Sequence, residues 1–75
     1  MRLRATFAAN LRKARQAAGV SQEELANLAG IDRTYVSALE RSVYAASIDV
    51  IESLADALKI KPSDLLVPER RSRAG

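Results

Sequence analysis

The fold is decided by residues 19–41, which read GVSQEELANLAGIDRTYVSALER. A helix start lies near the beginning of this stretch. Ser21 is a favoured N-cap residue, and Glu24 three positions later completes a capping box. Val20 and Leu25 flank the same start as a hydrophobic staple. These signals together predict a helix that begins directly after Ser21.

A second helix follows after a short turn. The first helix of the stretch is predicted over Gln22–Ala29 and ends at Gly30, where a residue without Cβ most easily adopts a left-handed conformation. Asp32 is predicted to cap the next helix with its side chain, because the helix dipole favours a carboxylate there. That helix is predicted over residues 33 to 40 or 41.

The spacing of small and apolar residues indicates how these two helices pack. Helices that cross steeply at close range need a small residue where they touch, a turn between them, and apolar residues that seal the wedge. Ala26 and Gly30 supply the first two requirements. The sealing residues are Leu25, Ile31, Val36 and Leu39. This arrangement is a helix-turn-helix.

The segments on either side predict further helices. An apolar face at helical spacing precedes the quoted stretch, and a loop over Ser42–Ala46 leads to a fourth helix that Ser47 caps. Pro62 is favoured at the start of a last short helix, which ends before Pro68. The apolar face is Phe7, Leu11, Ala14 and Ala18 in the first helix and Ile48, Ile51, Ala55 and Leu58 in the fourth.

Length and composition restrict the classes of function. A chain of 75 residues holds one small domain, which we assign to residues 1–67, followed by a flexible basic tail over residues 68–75. Cys and His are absent, so the usual metal ligands and the commonest general base are missing. We therefore expect no metal, no cofactor and no enzymatic activity.

Charge and hydropathy indicate the kind of partner. The formal net charge is +3, and the first twenty residues contain five basic side chains and no acidic one. A basic end of this kind favours a polyanion as partner. No stretch approaches the ~20 apolar residues of a membrane span, so we expect a cytoplasmic protein without a membrane partner.

The chain resembles the lambda repressor and Cro-like helix-turn-helix family over roughly residues 8–66. The strings that carry the resemblance are Gly19–Ala26, Ile31–Ser37 and Leu39–Arg41. Residues 32–35, together with Ser37 and Glu40–Arg41, are most similar to controller proteins of restriction-modification systems. The resemblance implies a compact all-α, lambda-repressor-like domain of four to five helices that binds double-stranded DNA.

The third helix is the candidate recognition helix. Val36 and Leu39 occupy its inner face, so the candidates for base contact on the outer face are Arg33, Thr34 and Ser37. Arg33 in the first turn can donate two parallel hydrogen bonds to guanine O6 and N7. Thr34 and Ser37 offer hydroxyl groups, and Thr34 also offers a methyl group to thymine.

A second set of residues is expected to contact the DNA backbone. Gln22 resembles the family glutamine that grips a phosphate at the start of a helix. Three of the other candidates have an alternative, purely structural role. Arg12 could only solvate the first helix, Arg41 could pair with Glu40, and Tyr44 could pack against neighbouring residues. The backbone candidates are Gln22, Tyr35, Arg41, Ser42, Arg12, Tyr44 and Ser47.

A second apolar stripe on the fourth helix suggests a dimer. Val50, Leu54 and Ala57 form this stripe and are expected to be partly exposed in a lone subunit. The alternative is a wide core face. The predicted interface consists of Val50, Leu54, Ala57, Leu65, Leu66 and Val67. A homodimer would read a pseudo-palindrome with recognition helices about 34 Å apart.

The leading hypothesis is a sequence-specific transcriptional regulator that acts as a homodimer on operator DNA. Resemblance to controllers implies control of its own gene and a neighbouring one, with two dimers on one operator. The alternative is a protein-interaction module, an antitoxin or antiactivator, on the same fold. The polar, basic outer face of the third helix favours DNA over a protein partner, and an enzyme is the least expected class.

Overall fold

A computed structural model describes residues 2–68 and contains four α-helices followed by a short 3₁₀ helix. The elements are α1 (Leu3–Ala18), α2 (Gln22–Ala29), α3 (Arg33–Glu40), α4 (Ile48–Leu58) and the 3₁₀ helix (Pro62–Leu65). The predicted all-α fold is confirmed, and α2 and α3 have the predicted bounds. The predicted basic tail over residues 68–75 lies, apart from Pro68, outside the described residues. Within residues 2–68 no helix has both the length and the apolar character to cross a membrane.

The two helix starts of the helix-turn-helix are capped differently. Ser21 Oγ accepts a hydrogen bond from the Glu24 backbone N–H at 3.0 Å, and Glu24 Oε1 accepts one from the Ser21 N–H at 2.8 Å. The predicted capping box is therefore confirmed. The predicted side-chain cap at Asp32 is wrong, since its side chain makes no capping hydrogen bond. The Tyr35 N–H, a donor that such a cap would use, bonds to the Asp32 carbonyl instead, at 3.0 Å.

Helix α3 ends in a tight reversal that starts the loop toward α4. The Val43 N–H donates to the Ala38 carbonyl at 2.9 Å, and the Ser42 N–H donates to the Leu39 carbonyl at 3.1 Å. This is the Schellman pattern, and Ser42 occupies its left-handed position with φ 63°. Gly19 and Gly30 hold the same position at the ends of α1 and α2, with φ 74° at each.

The hydrophobic core joins all five elements. The wedge residues of α2 and α3 are buried as predicted, apart from Ile31 between the helices, which is half-buried. The core cluster consists of Phe7, Leu11, Leu25, Ala26, Val36, Leu39, Leu54, Ala55, Leu58 and Leu65. α3 packs against both α1 and α2, so its inner face is covered and its outer face is left to solvent.

Four residues have a burial that differs from the prediction. Ile48 is 83% exposed, because it is the first residue of α4, whereas the buried residues of that helix, Leu54, Ala55 and Leu58, lie in its second half. Ala18 is likewise exposed, at the last position of α1. Leu54 and Leu65 are fully buried within one subunit, so their prediction as exposed interface residues is wrong. They pack into the core with Leu58 and the other cluster residues.

Candidate nucleic-acid interface

Helix α3 presents a polar outer face. Arg33 and Thr34 in its first turn are exposed, and Ser37 one turn later is half-buried. Val36 and Leu39 are fully buried on the opposite side. The residues predicted to contact bases therefore share one accessible face of a helix that is anchored on its other side.

Ser37 and Arg41 are brought together at the end of this face. Arg41 is exposed, and its Nε donates to Ser37 Oγ at 3.4 Å. The alternative pairing of Arg41 with Glu40 is not the contact that forms here. A serine hydroxyl that accepts from Arg41 keeps its own hydrogen for another acceptor. A guanidinium and a hydroxyl thus stand side by side near the C-terminal end of α3.

An aromatic pair connects α3 to the loop that follows it. The rings of Tyr35 and Tyr44 lie with centroids 6.3 Å apart and planes inclined by 52°. Tyr44 remains 56% exposed, so its ring packs on one side and faces solvent on the other. Tyr44 is therefore part of a contact, as the packing alternative predicted, and its exposed surface keeps it available to a partner.

Gln22, the predicted phosphate ligand, is held by an acidic residue at the far end of α3. Its Nε2 donates to Glu40 Oε1 at 3.0 Å. Gln22 is half-buried, whereas Glu40 is 5% exposed and is the one buried charged residue within residues 2–68. An ionised carboxylate can only accept hydrogen bonds, so the Gln22 amide must turn its NH₂ group, and not its oxygen, toward Glu40.

Arg15 neutralises this buried carboxylate. Arg15 Nε donates to Glu40 Oε2 at 2.6 Å and its Nη2 to Glu40 Oε1 at 3.1 Å. Its Nη1 donates to the Val20 carbonyl at 3.0 Å. The hydrogen bond to Glu40 raises the pKa of Arg15 above its ordinary value, against the opposing effect of burial. Arg15 and Glu40 therefore form an ion pair between α1 and α3 with two parallel hydrogen bonds.

The sequence interpretation did not single out this ion pair. Its signal was the position of Glu40, which follows Val36 by four residues and so lies on the same inner face of the helix. A carboxylate is almost never fully buried without a partner. An acidic residue at an apolar helical position therefore called for a basic partner on a neighbouring helix.

The remaining backbone candidates lie at the edges of this cluster and in the loop. Arg12 Nη2 donates to the Glu40 carbonyl at 3.4 Å, and Arg12 Nε lies 4.0 Å from Glu40 Oε1. The Arg12 side chain is still 54% exposed, so it is accessible to a further anion. Ser47 Oγ accepts from the Val50 N–H at 3.1 Å and caps α4 as predicted. Ser42 is half-buried at the start of the loop.

The predicted dimer residues that remain at the surface fall on two flanks of α4. Ala57 lines a groove with Leu28 and Lys59. Leu66 instead lines an apolar cleft with Leu3, Phe7, Ala45, Ala46 and Ile51. Val67 follows Leu66 and is 53% exposed, and Val50 is half-buried. The six residues predicted as one patch therefore do not form one patch.

The fold and this site together define a class of protein. A helix-turn-helix whose second helix displays an arginine and hydroxyl groups, flanked by further arginines, is the kind of domain with which transcriptional regulators bind DNA. Residues 11–65 match the helix-turn-helix family, and the chain belongs to that family.

Similar proteins agree with this assignment. A hypothetical transcription factor from Neisseria meningitidis is 48% identical over 66 residues, which are 88% of this chain and 62% of that protein. The chain thus spans less than two thirds of this relative. The crystal structure of a hypothetical transcription factor, NHTF, from Neisseria superposes with a TM-score of 0.86 at 48% identity, covering 89% of this chain and 77% of that one.

A control protein and a restriction-modification controller protein are also similar. Control protein C.BamHI from Bacillus amyloliquefaciens is 38% identical over 85% of this chain and 80% of its own length. The crystal structure of the controller protein C.AhdI from Aeromonas hydrophila is 45% identical with a TM-score of 0.81. That match covers 83% of this chain and 94% of C.AhdI. The resemblance to controllers noted in the sequence is thereby confirmed.

Proposed function

We propose that the protein is a sequence-specific transcriptional regulator that binds operator DNA as a homodimer. The observation that carries this proposal is the exposed polar face of α3, with Arg33 and Thr34 accessible in its first turn. A recognition helix enters the major groove with its N-terminal residues toward the base edges. Arg33 then reads guanine, while Thr34 and Ser37 contact neighbouring bases.

Backbone contacts set the register of α3 in the groove. Gln22 stands at the start of α2, where the helix dipole favours an anion. Arg12 is exposed on α1, and Arg41 is exposed directly after the last residue of α3. Tyr35, Tyr44, Ser42 and Ser47 complete the proposed set. These contacts supply affinity that depends on salt and not on sequence.

The apolar face next to the end of the 3₁₀ helix is our candidate for the two-fold interface. Val67 is 53% exposed there, and Leu66 and Leu3 line the neighbouring cleft. The Asn10 side chain donates to the Val67 carbonyl at 2.8 Å and to the Leu65 carbonyl at 3.0 Å, which ties this segment to α1. Because the segment is fixed to α1 and its apolar side chains are exposed, it is suited to contact another protein subunit. Val50 and Ala57 are the candidates on the other flank of α4.

The similarity to control proteins supports a more specific role. C.BamHI and C.AhdI are named as control or controller proteins, the second of a restriction-modification system. We propose that this chain likewise controls a promoter near its own gene, with two dimers on one operator at high concentration. A regulator of operator DNA acts in the cytoplasm, where the chromosome lies.

The test is a binding titration on the DNA directly upstream of the protein's own gene. The titration is run at two salt concentrations, with a random duplex of equal length as competitor. We expect saturable binding that survives the competitor and reaches a stoichiometry of two dimers. Equal affinity for the upstream duplex and the random duplex would contradict sequence specificity. Absence of binding to either duplex would contradict the DNA-binding function and favour a protein-interaction module.

A further inference from the structure

The buried carboxylate of Glu40 has a geometry that a purely stabilising ion pair does not require. Glu40 Oε2 accepts from Arg15 Nε at 2.6 Å. Glu40 Oε1 is shared between Arg15 Nη2 at 3.1 Å and Gln22 Nε2 at 3.0 Å. One oxygen thus serves both the ion pair and the residue that opens α2.

We infer that Glu40 is a positioning residue for DNA binding, which holds the Gln22 amide in place at the phosphate-binding start of α2. This inference rests on the proposed DNA-binding function. A glutamine side chain on a helix surface is costly to order, and its rotamer freedom must be lost when it binds a phosphate. A hydrogen bond that exists before DNA arrives reduces the entropy lost on binding.

The amide remains able to bind a phosphate while Glu40 holds it. A glutamine nitrogen carries two hydrogens, and the bond to Glu40 Oε1 uses one. The other is left for a phosphate oxygen. Because Glu40 accepts only, it also excludes the flipped amide that would turn the oxygen toward the carboxylate.

The positive charges around Glu40 allow this acidic residue to position Gln22 without repelling a DNA phosphate. Arg15 binds the carboxylate through two nitrogens, and Arg12 Nε lies 4.0 Å from Glu40 Oε1. Two guanidinium groups against one carboxylate leave the cluster positively charged. The cluster therefore attracts a phosphate even though its centre is acidic.

The experiment is a double-mutant cycle on DNA binding with Glu40→Gln and Gln22→Ala. Affinities for the upstream duplex and for a random duplex are measured at a temperature where circular dichroism shows every variant folded. Gln22→Ala is expected to weaken binding to both duplexes by about tenfold. Glu40→Gln is expected to weaken binding by about threefold to tenfold, but by less than about twofold when Gln22 is already alanine.

The sign of the Glu40→Gln effect separates positioning from charge. Removal of a negative charge near phosphates, taken alone, would tighten binding to both duplexes. Tighter binding, unchanged binding, or effects that add in the double variant would each overturn the inference. Failure of the wild-type protein to bind either duplex would overturn the proposed function itself. Leu58→Ala is the control, since it weakens the core away from the cluster and should leave the affinity of the folded protein unchanged.

A measurement on the wild-type protein covers the case in which Glu40→Gln does not fold. Side-chain amide hydrogens that are hydrogen-bonded exchange slowly with solvent. We expect the Gln22 amide to exchange more slowly by NMR than that of Gln16, which is exposed on α1. Equal exchange rates for the two amides would overturn the inference.

Discussion

Arg15 Nε lies 2.6 Å from Glu40 Oε2, and this ion pair joins α1 to the last residue of α3. The side chains are 14% and 2% exposed, so neither charge is solvated as it would be in water. A buried charge is tolerable when its partner is present and costly when the partner is removed. The ion pair therefore makes the position of α3 depend on α1.

The first prediction concerns the cost of breaking this pair. Glu40→Ala should lower the free energy of unfolding by about 3 to 5 kcal/mol, because it leaves the Arg15 side chain, which is only 14% exposed, without a counter-charge. The double variant Arg15→Met with Glu40→Leu should recover most of that loss. Urea denaturation followed by circular dichroism measures both. A double variant no more stable than Glu40→Ala would contradict the desolvation argument.

The second prediction concerns base recognition by Arg33. Arg33→Ala should cost about 1 to 3 kcal/mol of operator binding and relax the preference at one base position. Binding to a panel of operator duplexes with single base changes measures both effects. Lys61→Ala is the matched control, because it removes an exposed positive charge next to the 3₁₀ helix. An equal loss on operator and random duplex would remove Arg33 from base readout.

The third prediction concerns the aromatic pair of Tyr35 and Tyr44. Tyr44→Ala should lower the free energy of unfolding by about 0.5 to 1.5 kcal/mol, the range of an aromatic contact. Tyr44→Phe keeps the ring and should leave stability unchanged. Thermal unfolding of the three proteins measures the difference. If Tyr44→Phe loses as much as Tyr44→Ala, the hydroxyl and not the ring contact is responsible.

The fourth prediction tests which flank of α4 forms the dimer. Val67→Asp should shift the protein to monomers in sedimentation, because a charge in an apolar interface is poorly solvated. The fold should survive, since Asn10 binds the backbone and not the side chain of Val67. Leu28→Glu is the comparison, as Leu28 is 62% exposed in the groove with Ala57. Monomers from Leu28→Glu and dimers from Val67→Asp would assign the interface to the other flank.

The fifth prediction compares the two helix caps. Ser21→Ala should cost about 1 kcal/mol of stability, because it removes the acceptor of the Glu24 N–H bond. Asp32→Ala should cost only about 0.3 kcal/mol, the effect of an exposed charge near a helix start. Chemical denaturation of the two variants measures both losses of stability. Equal costs would show that Asp32 caps α3 in solution.

Local chemistry explains which parts of the fold were predictable. The bounds of α2 and α3 follow from residues close in sequence, such as the Ser21 and Glu24 cap and the glycine that ends α2. The wedge between them follows from the helical period of Leu25, Val36 and Leu39. The outer face of α3, and hence the base-contact candidates, follows from the same period.

Burial along α4 was not predictable in this way. Ile48 and Ala55 lie seven residues apart on the same predicted face, yet Ile48 is 83% exposed and Ala55 is fully buried. A helical period states which residues share a face but not how far a neighbouring helix covers it. Which residues of α4 are buried depends on where α2 and the 3₁₀ helix pack against it.

The helices, the side-chain caps at Ser21 and Ser47 and the polar face of α3 could be predicted from the amino-acid sequence, because they depend on contacts a few residues apart. Tertiary structure decided the partners of Glu40, since Arg15 and Gln22 lie 25 and 18 residues away from it along the chain. It also decided that the predicted dimer residues divide between two flanks and the core. Side chains from distant segments meet only when the helices pack, and burial and hydrogen bonding are then set by that packing.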